Sequence, residues 1–337
     1  MNAVAEYFNV DHAQFWQQLV LANQPAILRQ AVQHWPAVVA ARQSDAAIQQ
    51  YLATLDNGKE VTTILAHPDT RGRLSYNELL TGFNFERQKA PVSAVINELR
   101  RIAGKPDALH LAVQSARTDL CLPGFQQDNP MPLLDAAVVP RIWAGNHIIV
   151  PAHFDDADNL ACVVAGRRRF TRFPPEQVSN LYVGPLDFTP AGAPVSLVDI
   201  TRPDLARFPR YQQAQDAALV AELAPGDVLF IPALWWHHVE SLSDVSVLIN
   251  YWWGGSLGDD ALPTSPFDGL LHTLLNMQSV PSHQRAHWQA LFNHFAFHQN
   301  ADPCQHLPAD CGSVQGELPE KRQKNIINWL RSQLEKL

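Results

Sequence analysis

The sequence predicts a mainly β protein, an antiparallel barrel or jelly roll with helices on either side of it. Three observations carry this expectation. Between about residues 108 and 255, five strand-like stretches follow one another with turn residues between them: ALHLAVQSA, RIWAGNHIIV, LACVVAGRRRFTRF, GDVLFIPALWWHHVESL and SVLINYWW. Short strands in series favour an antiparallel barrel or jelly roll. Outside that span, apolar residues recur at helical spacing. The chain has 337 residues and 46% hydrophobic content, ample for a sizeable core. The expected division is a mixed, largely helical region over 1–107 that packs on the barrel, the barrel over 108–257, and a helical region over 258–337.

In chain order, DHAQFWQQLVLA opens with Asp11 as a cap and sets Phe15, Leu19 and Leu21 near one helical stripe. PAILRQA is a short apolar piece, followed by VQHWPAVVAARQ. SDAAIQQYLATL reads as a helix capped by Ser44, with Ile48, Tyr51, Leu52 and Leu55 on one face. KEVTTILAH is β-branched and reads as a strand. SYNELLTGF and VSAVINELRRIAG are expected to be helices, the second closed by Gly104. After the barrel, FDGLLHTLLNMQSV, HQRAHWQALFNHFAFH and KRQKNIINWLRSQLEKL again carry helical spacing.

Charged residues make up 17% of the chain and the formal net charge is −8. That balance argues against nucleic acid or an anionic membrane as the main partner. No apolar run reaches membrane-spanning length, and MNAVAEYFNVDHAQFW lacks a charged-then-apolar leader pattern, so a cytoplasmic protein is expected. Cys121, Cys162, Cys304 and Cys311 are scattered. Cys304 and Cys311 flank His306, but the spacing fits no zinc motif, and reduced thiols are the expectation.

One constellation carries chemistry. PAHFDD sets His153 and Asp155 two residues apart, so in extended chain both side chains point to one face. Alone, such a tripeptide arises often by chance. PGDVLFIPALWWHHVES then runs from a Pro225–Gly226 turn through an apolar strand into His237 and His238. Two histidines and one carboxylate on one face form the facial triad of non-haem Fe(II) oxygenases, which leaves positions open for a 2-oxoacid and O₂. Zinc also accepts such a set, with water in a further position.

PAHFDDADN, VVAGRRRFTRFPPEQVSNLYVGP, PGDVLFIPALWWHHVESL and INYWW, in that order and spacing, resemble the cupin-like JmjC-type 2-oxoglutarate oxygenases, and among them the asparaginyl hydroxylase that inhibits hypoxia-inducible factor. The resemblance is strongest over residues 141–255. It implies a double-stranded β-helix, Fe(II) on His153, Asp155 and His237, and 2-oxoglutarate as co-substrate with O₂. It further implies that His238 faces away, that Asn159, Asn250 and Gln114 line the site, and that Arg168 meets the far carboxylate of 2-oxoglutarate where the relative has a lysine. Arginine suits that role, since it pairs with carboxylates in bidentate fashion. By alternation, Arg167 and Arg169 face the other way. Two positions depart from the pattern: Val150 and Ala112 stand where the relative has threonine and tyrosine hydroxyls, with His110 two residues before Ala112.

The expected activity is hydroxylation of a C–H bond, with a protein or peptide side chain as substrate. Small molecules and tRNA, used by others of the group, and a metal-binding cupin without oxygenase activity are the alternatives. Trp143, Trp235 and Trp252 are candidates for the pocket wall or for plain packing. Leu270, Leu271, Leu274 and Leu275 resemble a dimerising helix face, which implies a homodimer through the C-terminal helices.

Overall fold

Alternation of inward and outward side chains builds this molecule, and the strands fall where the β-branched and aromatic stretches are. The computed structural model describes residues 2–190, 192–255, 265–299, 301–308, 314 and 318–335. It separates into two units, Met1–Ser265 and Pro266–Leu337. The first holds fourteen strands among the described residues. The N-terminal ones are β1 (Asn2–Ala3), β2 (Ala5–Phe8), β3 (Ala26–Arg29), β4 (Val61–Ala66) and β5 (Phe85–Ala90). There follow β6 (His110–Arg117), β7 (Arg141–Gly145), β8 (Ile149–His153), β9 (Asp158–Ala165) and β10 (Arg168–Phe173). The last are β11 (Leu219–Leu223), β12 (Val228–Ile231), β13 (Trp236–Ser241) and β14 (Ser246–Trp253).

These strands make two sheets. One has the order β1-β11-β10-β13-β8, the other β2-β3-β12-β9-β14-β7-β6-β4-β5. All pairings from β7 to β14 are antiparallel. Four strands of each sheet, β8, β13, β10 and β11 against β7, β14, β9 and β12, form the jelly roll the sequence predicts. The strands from the first hundred residues extend its larger sheet.

Period-two alternation divides the core into layers. From β9, Ala161 and Val163 point between the sheets; from β14, Leu248; from β12, Leu229 and Ile231. They meet Phe170, Ala221, Leu223 and Val239 from the opposite sheet. The intervening residues Cys162, Val164, Ile249, Tyr251 and Phe230 point outward and are covered by the N-terminal helices through Phe15, Leu19, Trp35, Val38, Ile48, Leu52 and Val95. Each fully buried aliphatic or aromatic side chain contributes roughly 1.5–3 kcal/mol relative to exposure. Phe173 and Trp236, on the outer face of the smaller sheet, pack with Leu181, Tyr211 and Ala214 from the long β10–β11 connection.

Several local expectations hold. Asp11 accepts from the Gln14 amide at 2.8 Å. Ser44 caps the helix Asp45–Leu55, whose Ile48 and Leu52 are buried. The helix Val92–Ile102 ends before Gly104, which adopts a positive φ of 71°. Two local expectations are corrected. The first helix widens into a π-helix over Phe15–Val20, and Leu21 turns out to solvent at 76% exposure while Phe15 and Leu19 stay buried. SYNELLTGF is a loop: the Asn77 amide donates to Gly82 O, the Asn77 side chain accepts from the Thr81 amide, and Tyr76 bridges to Phe83. The asparagine offers the backbone a tight turn in place of a helix, and Leu79 finds no core.

The second unit holds the helices Pro266–Met277, Arg285–Phe295 and Glu320–Leu334. Leu270, Leu274 and Leu275 are exposed and Leu271 is half-buried. Cys311 lies outside the described residues. No helix of the described residues is long and apolar enough to cross a membrane.

Candidate metal centre

The centre lies at one mouth of the barrel, where β8 ends and β13 begins. Both strands lead into it because of what their neighbours do on the outside. Phe154, between His153 and Asp155, turns outward against Trp236, its ring edge-on at 5.0 Å. That fixes His153 and Asp155 on the inward side. Trp236 and His238 take the outward positions of β13, which leaves His237 facing in, and its Cα lies opposite that of His153.

One ligand atom each from His153, Asp155 and His237 lies within 4.8 Å of the others. His237 Nε2 is 3.6 Å from Asp155 Oδ2, and the two imidazole centroids are 4.2 Å apart. His153 Nδ1 sits 2.9 Å from Pro151 O, and His237 Nδ1 sits 3.0 Å from Trp235 O. A carbonyl oxygen only accepts, so each Nδ1 carries the proton and each Nε2 presents a lone pair toward the shared point. Burial holds His237 well below the usual imidazole range, with the His153 and Arg172 charges acting in the same direction. Burial also raises the Asp155 carboxyl, against the opposing influence of His153 and of the hydrogen bonds from Trp252 and Asn159. Two Nε2 lone pairs, one of them on an imidazole that burial keeps neutral, and a carboxyl raised by burial suit a divalent cation, which restores the carboxylate and takes up both lone pairs.

A chain of hydrogen bonds orients the carboxylate. Trp143 Nε1 donates to Asn250 Oδ1 at 2.7 Å, Asn250 Nδ2 donates to Asn159 Oδ1 at 3.4 Å, and Asn159 in turn hydrogen-bonds Asp155. Trp252 Nε1 donates to Asp155 Oδ2 at 3.2 Å. The Trp143 and Trp252 rings meet at 6.1 Å and 90°, and the Arg141 guanidinium lies 5.5 Å over the Trp252 ring. Trp143 and Trp252 thus belong to the centre through their N–H groups, whereas Trp235 sits in the intersheet core and donates to Asn23 O. The approach to His237 is tied down as well. Leu234, at a positive φ of 65°, donates its amide to Asp155 O at 2.7 Å, and the Ala233 amide donates to Asp158 Oδ1 at 2.9 Å.

The remaining sequence candidates fall as follows. Asn159 and Asn250 are buried beside the triad, as part of the chain just described. Gln114 is half-buried on β6, at the bulge between Val113 and Ala116. Arg168 is buried and faces into the barrel; its Nε has no hydrogen-bond partner, and burial lowers it to about 10. Arg167 and Arg169 face out and pair with Glu222. His238 is buried on the outer face with Nδ1 3.8 Å from Glu240 Oε1, and burial holds it down to about 3, so that contact is no ion pair at neutral pH. Ala112 packs with Ile64, Leu74 and Ile148, and Val150 borders the same cluster, so the wall where hydroxyls were missed is apolar. Sequence reasoning passed over Arg172, whose Cα lies opposite that of His237. Its spacing of four from Arg168 along a strand was the available signal.

Two mostly antiparallel sheets closed over a His–Asp–His cluster define a candidate metal centre of cupin type. The cupin-like domain family matches residues 12–258, and the chain belongs to it, as a JmjC-type 2-oxoglutarate-dependent oxygenase. It is similar to the bifunctional peptidase and (3S)-lysyl hydroxylase JMJD7 of Homo sapiens, 28% identical over 269 residues that cover 71% of this chain and 80% of that protein. Human HSPB1-associated protein 1 is 40% identical over 113 residues, which cover 33% of this chain and only 22% of that longer protein. Lysine-specific demethylase 8 of Xenopus tropicalis is 25% identical over 247 residues, covering 71% of this chain and 50% of that protein.

Proposed function

We propose that the chain hydroxylates a side chain of a protein or peptide, with Fe(II) held by His153, Asp155 and His237 and with 2-oxoglutarate and O₂ as co-substrates. One observation carries the reading: two Nε2 lone pairs and a half-buried carboxylate converge at the mouth of the barrel, each oriented by a hydrogen bond of its own. When bound, Fe(II) supplies the O₂ activation that converts 2-oxoglutarate to succinate and CO₂ and delivers the second oxygen atom to a substrate C–H bond. The protein's own part is to fix the donors, to offer an inward arginine, Arg168, to the far carboxylate, and to keep water out with apolar walls. Asn159 and Asn250 hold the Asp155 carboxylate in one orientation, and Gln114 faces the same interior from β6. The names of the two longer alignments, a lysyl hydroxylase and a lysine demethylase, support a protein substrate. The exposed leucines of Pro266–Met277 support a homodimer formed through the C-terminal unit. Unpaired, buried Cys121 and Cys162 suit the reducing cytoplasm.

The test is turnover of labelled 2-oxoglutarate by purified protein with Fe(II), read as succinate and CO₂. Slow, iron-dependent, uncoupled turnover is expected without any prime substrate. No turnover, together with no metal-dependent binding of 2-oxoglutarate, would overturn the reading.

A further inference from the structure

Strand β10 carries a second inward cation. Arg168, Phe170 and Arg172 alternate onto the face that looks between the sheets, where Phe170 joins the core. Arg172 is 0% exposed, and none of its three guanidinium nitrogens has a hydrogen-bond partner among the described residues. Its guanidinium carbon lies 5.7 Å from the centroid of the Phe170 ring. The guanidinium therefore lies beside the Phe170 ring on the inward face of β10. An arginine buried without a counter-charge is costly, and native chains keep one where an anion completes it.

Position singles out this residue. Arg172 stands directly across from the ligand His237, whereas Arg168 stands across from Ser241, four residues or about 13 Å further along the strand. In 2-oxoglutarate only two methylene groups separate the keto carbon from the far carboxylate. With the keto acid end at the metal, the far carboxylate comes to rest one or two residue steps inside, at the level of Phe170 and Val239, and the Arg172 guanidinium lies 5.7 Å from the Phe170 ring centroid. The two positions that lack hydroxyls offer it nothing, because Ala112 and Val150 border an apolar patch with Ile64, Leu74 and Ile148.

We infer that Arg172 is a co-substrate-binding residue, pairing with the far carboxylate of 2-oxoglutarate from the metal side while Arg168 approaches it from behind. This rests on the oxygenase reading, and it replaces a single distal cation by two, with Arg172 the nearer. The two guanidiniums take over the work of the hydroxyls that Ala112 and Val150 lack.

The experiment loads the full chain with Mn(II) under anaerobic conditions. It is then titrated by calorimetry with 2-oxoglutarate and with 2-oxobutyrate, which lacks the far carboxylate. A charged hydrogen-bond pair corresponds to about tenfold to a hundredfold in affinity, so Arg172→Leu should weaken 2-oxoglutarate by that factor and leave 2-oxobutyrate within about threefold. Arg172→Met should do the same, and Arg172→Lys should recover part of the loss. Metal-free Arg172→Leu and Arg172→Met should melt higher than the parent, since they remove an uncompensated buried charge; a merely structural arginine would give a lower melting point. Unchanged 2-oxoglutarate affinity in both variants, or equal weakening of both keto acids, would overturn the assignment. Loss in Arg168→Leu alone would return the role to Arg168. If the metal-loaded parent binds neither keto acid, the oxygenase reading itself fails, an outcome distinct from the others.

Discussion

Replacing Trp252 by Phe removes one N–H from the centre and keeps most of the ring. In the parent, that N–H donates to Asp155 Oδ2 at 3.2 Å, while the ring meets Trp143 edge-on at 6.1 Å. A hydrogen bond to a charged acceptor contributes about 1.5–3 kcal/mol, and 3.2 Å is at the long end of the range, so the lower figure applies. At about 1.4 kcal/mol per factor of ten, Trp252→Phe should weaken metal binding by about tenfold, within the range for partners that orient a ligand. Calorimetric titration of Mn(II) or Co(II) into the metal-free protein, with a competing chelator, measures this. The melting temperature should move little, because the phenyl ring retains the contact with Trp143. Trp143→Phe, two links removed through Asn250 and Asn159, should have a smaller effect on the same titration. Metal affinity within about twofold of the parent would refute the reasoning, and Asn159 would then be the group that sets the carboxylate. A matching fall in stability would assign Trp252 to packing.

The two histidines of β13 should separate cleanly: His237→Ala abolishes metal binding and His238→Ala retains it, and the reverse result would place the wrong side chain at the centre. His238 also sets a pH dependence. Its folded pKa of about 3 lies below the unfolded value of about 6.5, so the unfolded chain alone takes the proton between them, and stability falls as pH falls through that window. From pH 6.5 to 5.5, metal-free protein should lose about 1 kcal/mol more than His238→Gln in urea unfolding, and parallel curves would contradict the assignment. Gly255 has a φ of 60°, and a Cβ there would lie 1.8 Å from Asp156 O. Gly255→Ala should therefore destabilise by at least about 2 kcal/mol and weaken metal binding through the Asp155 turn; a neutral effect on both would show that the turn moves freely.

What the sequence made legible follows from period. Apart from Asp158, Asn159 and Asn250, the residues of β9, β12 and β14 are apolar or small on both faces, and the turns at their ends carry Gly166, Pro225–Gly226 and Ser243, so both the strands and their antiparallel order could be read. His153 and Asp155 were legible because alternation needs no tertiary knowledge to put positions i and i+2 on one face, whereas the choice of His237 over His238 came from the family resemblance. The failures share a cause as well. Asn77 competes for the backbone at close range, which a helical count over SYNELLTGF does not register. Trp143 and Trp252 look like packing in one dimension, and only the pairing of β14 with β7 and β9 aims their N–H groups at Asn250 and Asp155. In RRRFTRF the run of three arginines drew notice to its own members, although Arg172 shares the inward face with Arg168.

The charges at the mouth of the barrel imply one further behaviour. Asp155 is raised and His237 lowered chiefly by burial, and Arg168 and Arg172 are lowered to about 10 and about 9 by burial. Both arginines remain charged at neutral pH, so the site combines buried guanidinium nitrogens short of hydrogen-bond partners with a carboxyl raised by burial, and each costs stability. A divalent cation answers the carboxyl but adds positive charge near Arg172. A dicarboxylate answers the arginines, and its other end then finds the cation. Each therefore improves the site for the other, and because coupling is reciprocal the gain is the same in either order. Ligand at a hundredfold over its dissociation constant stabilises by about 2.7 kcal/mol. Mn(II) and 2-oxoglutarate together should raise the melting temperature by more than the sum of their separate shifts. The excess should shrink in Arg172→Leu, where the dicarboxylate has lost its nearer partner. Strictly additive shifts in the parent, or an equal shift from 2-oxoglutarate with and without metal, would mean that the anion binds away from the triad, and the arginines of β10 would then serve a site separate from the metal.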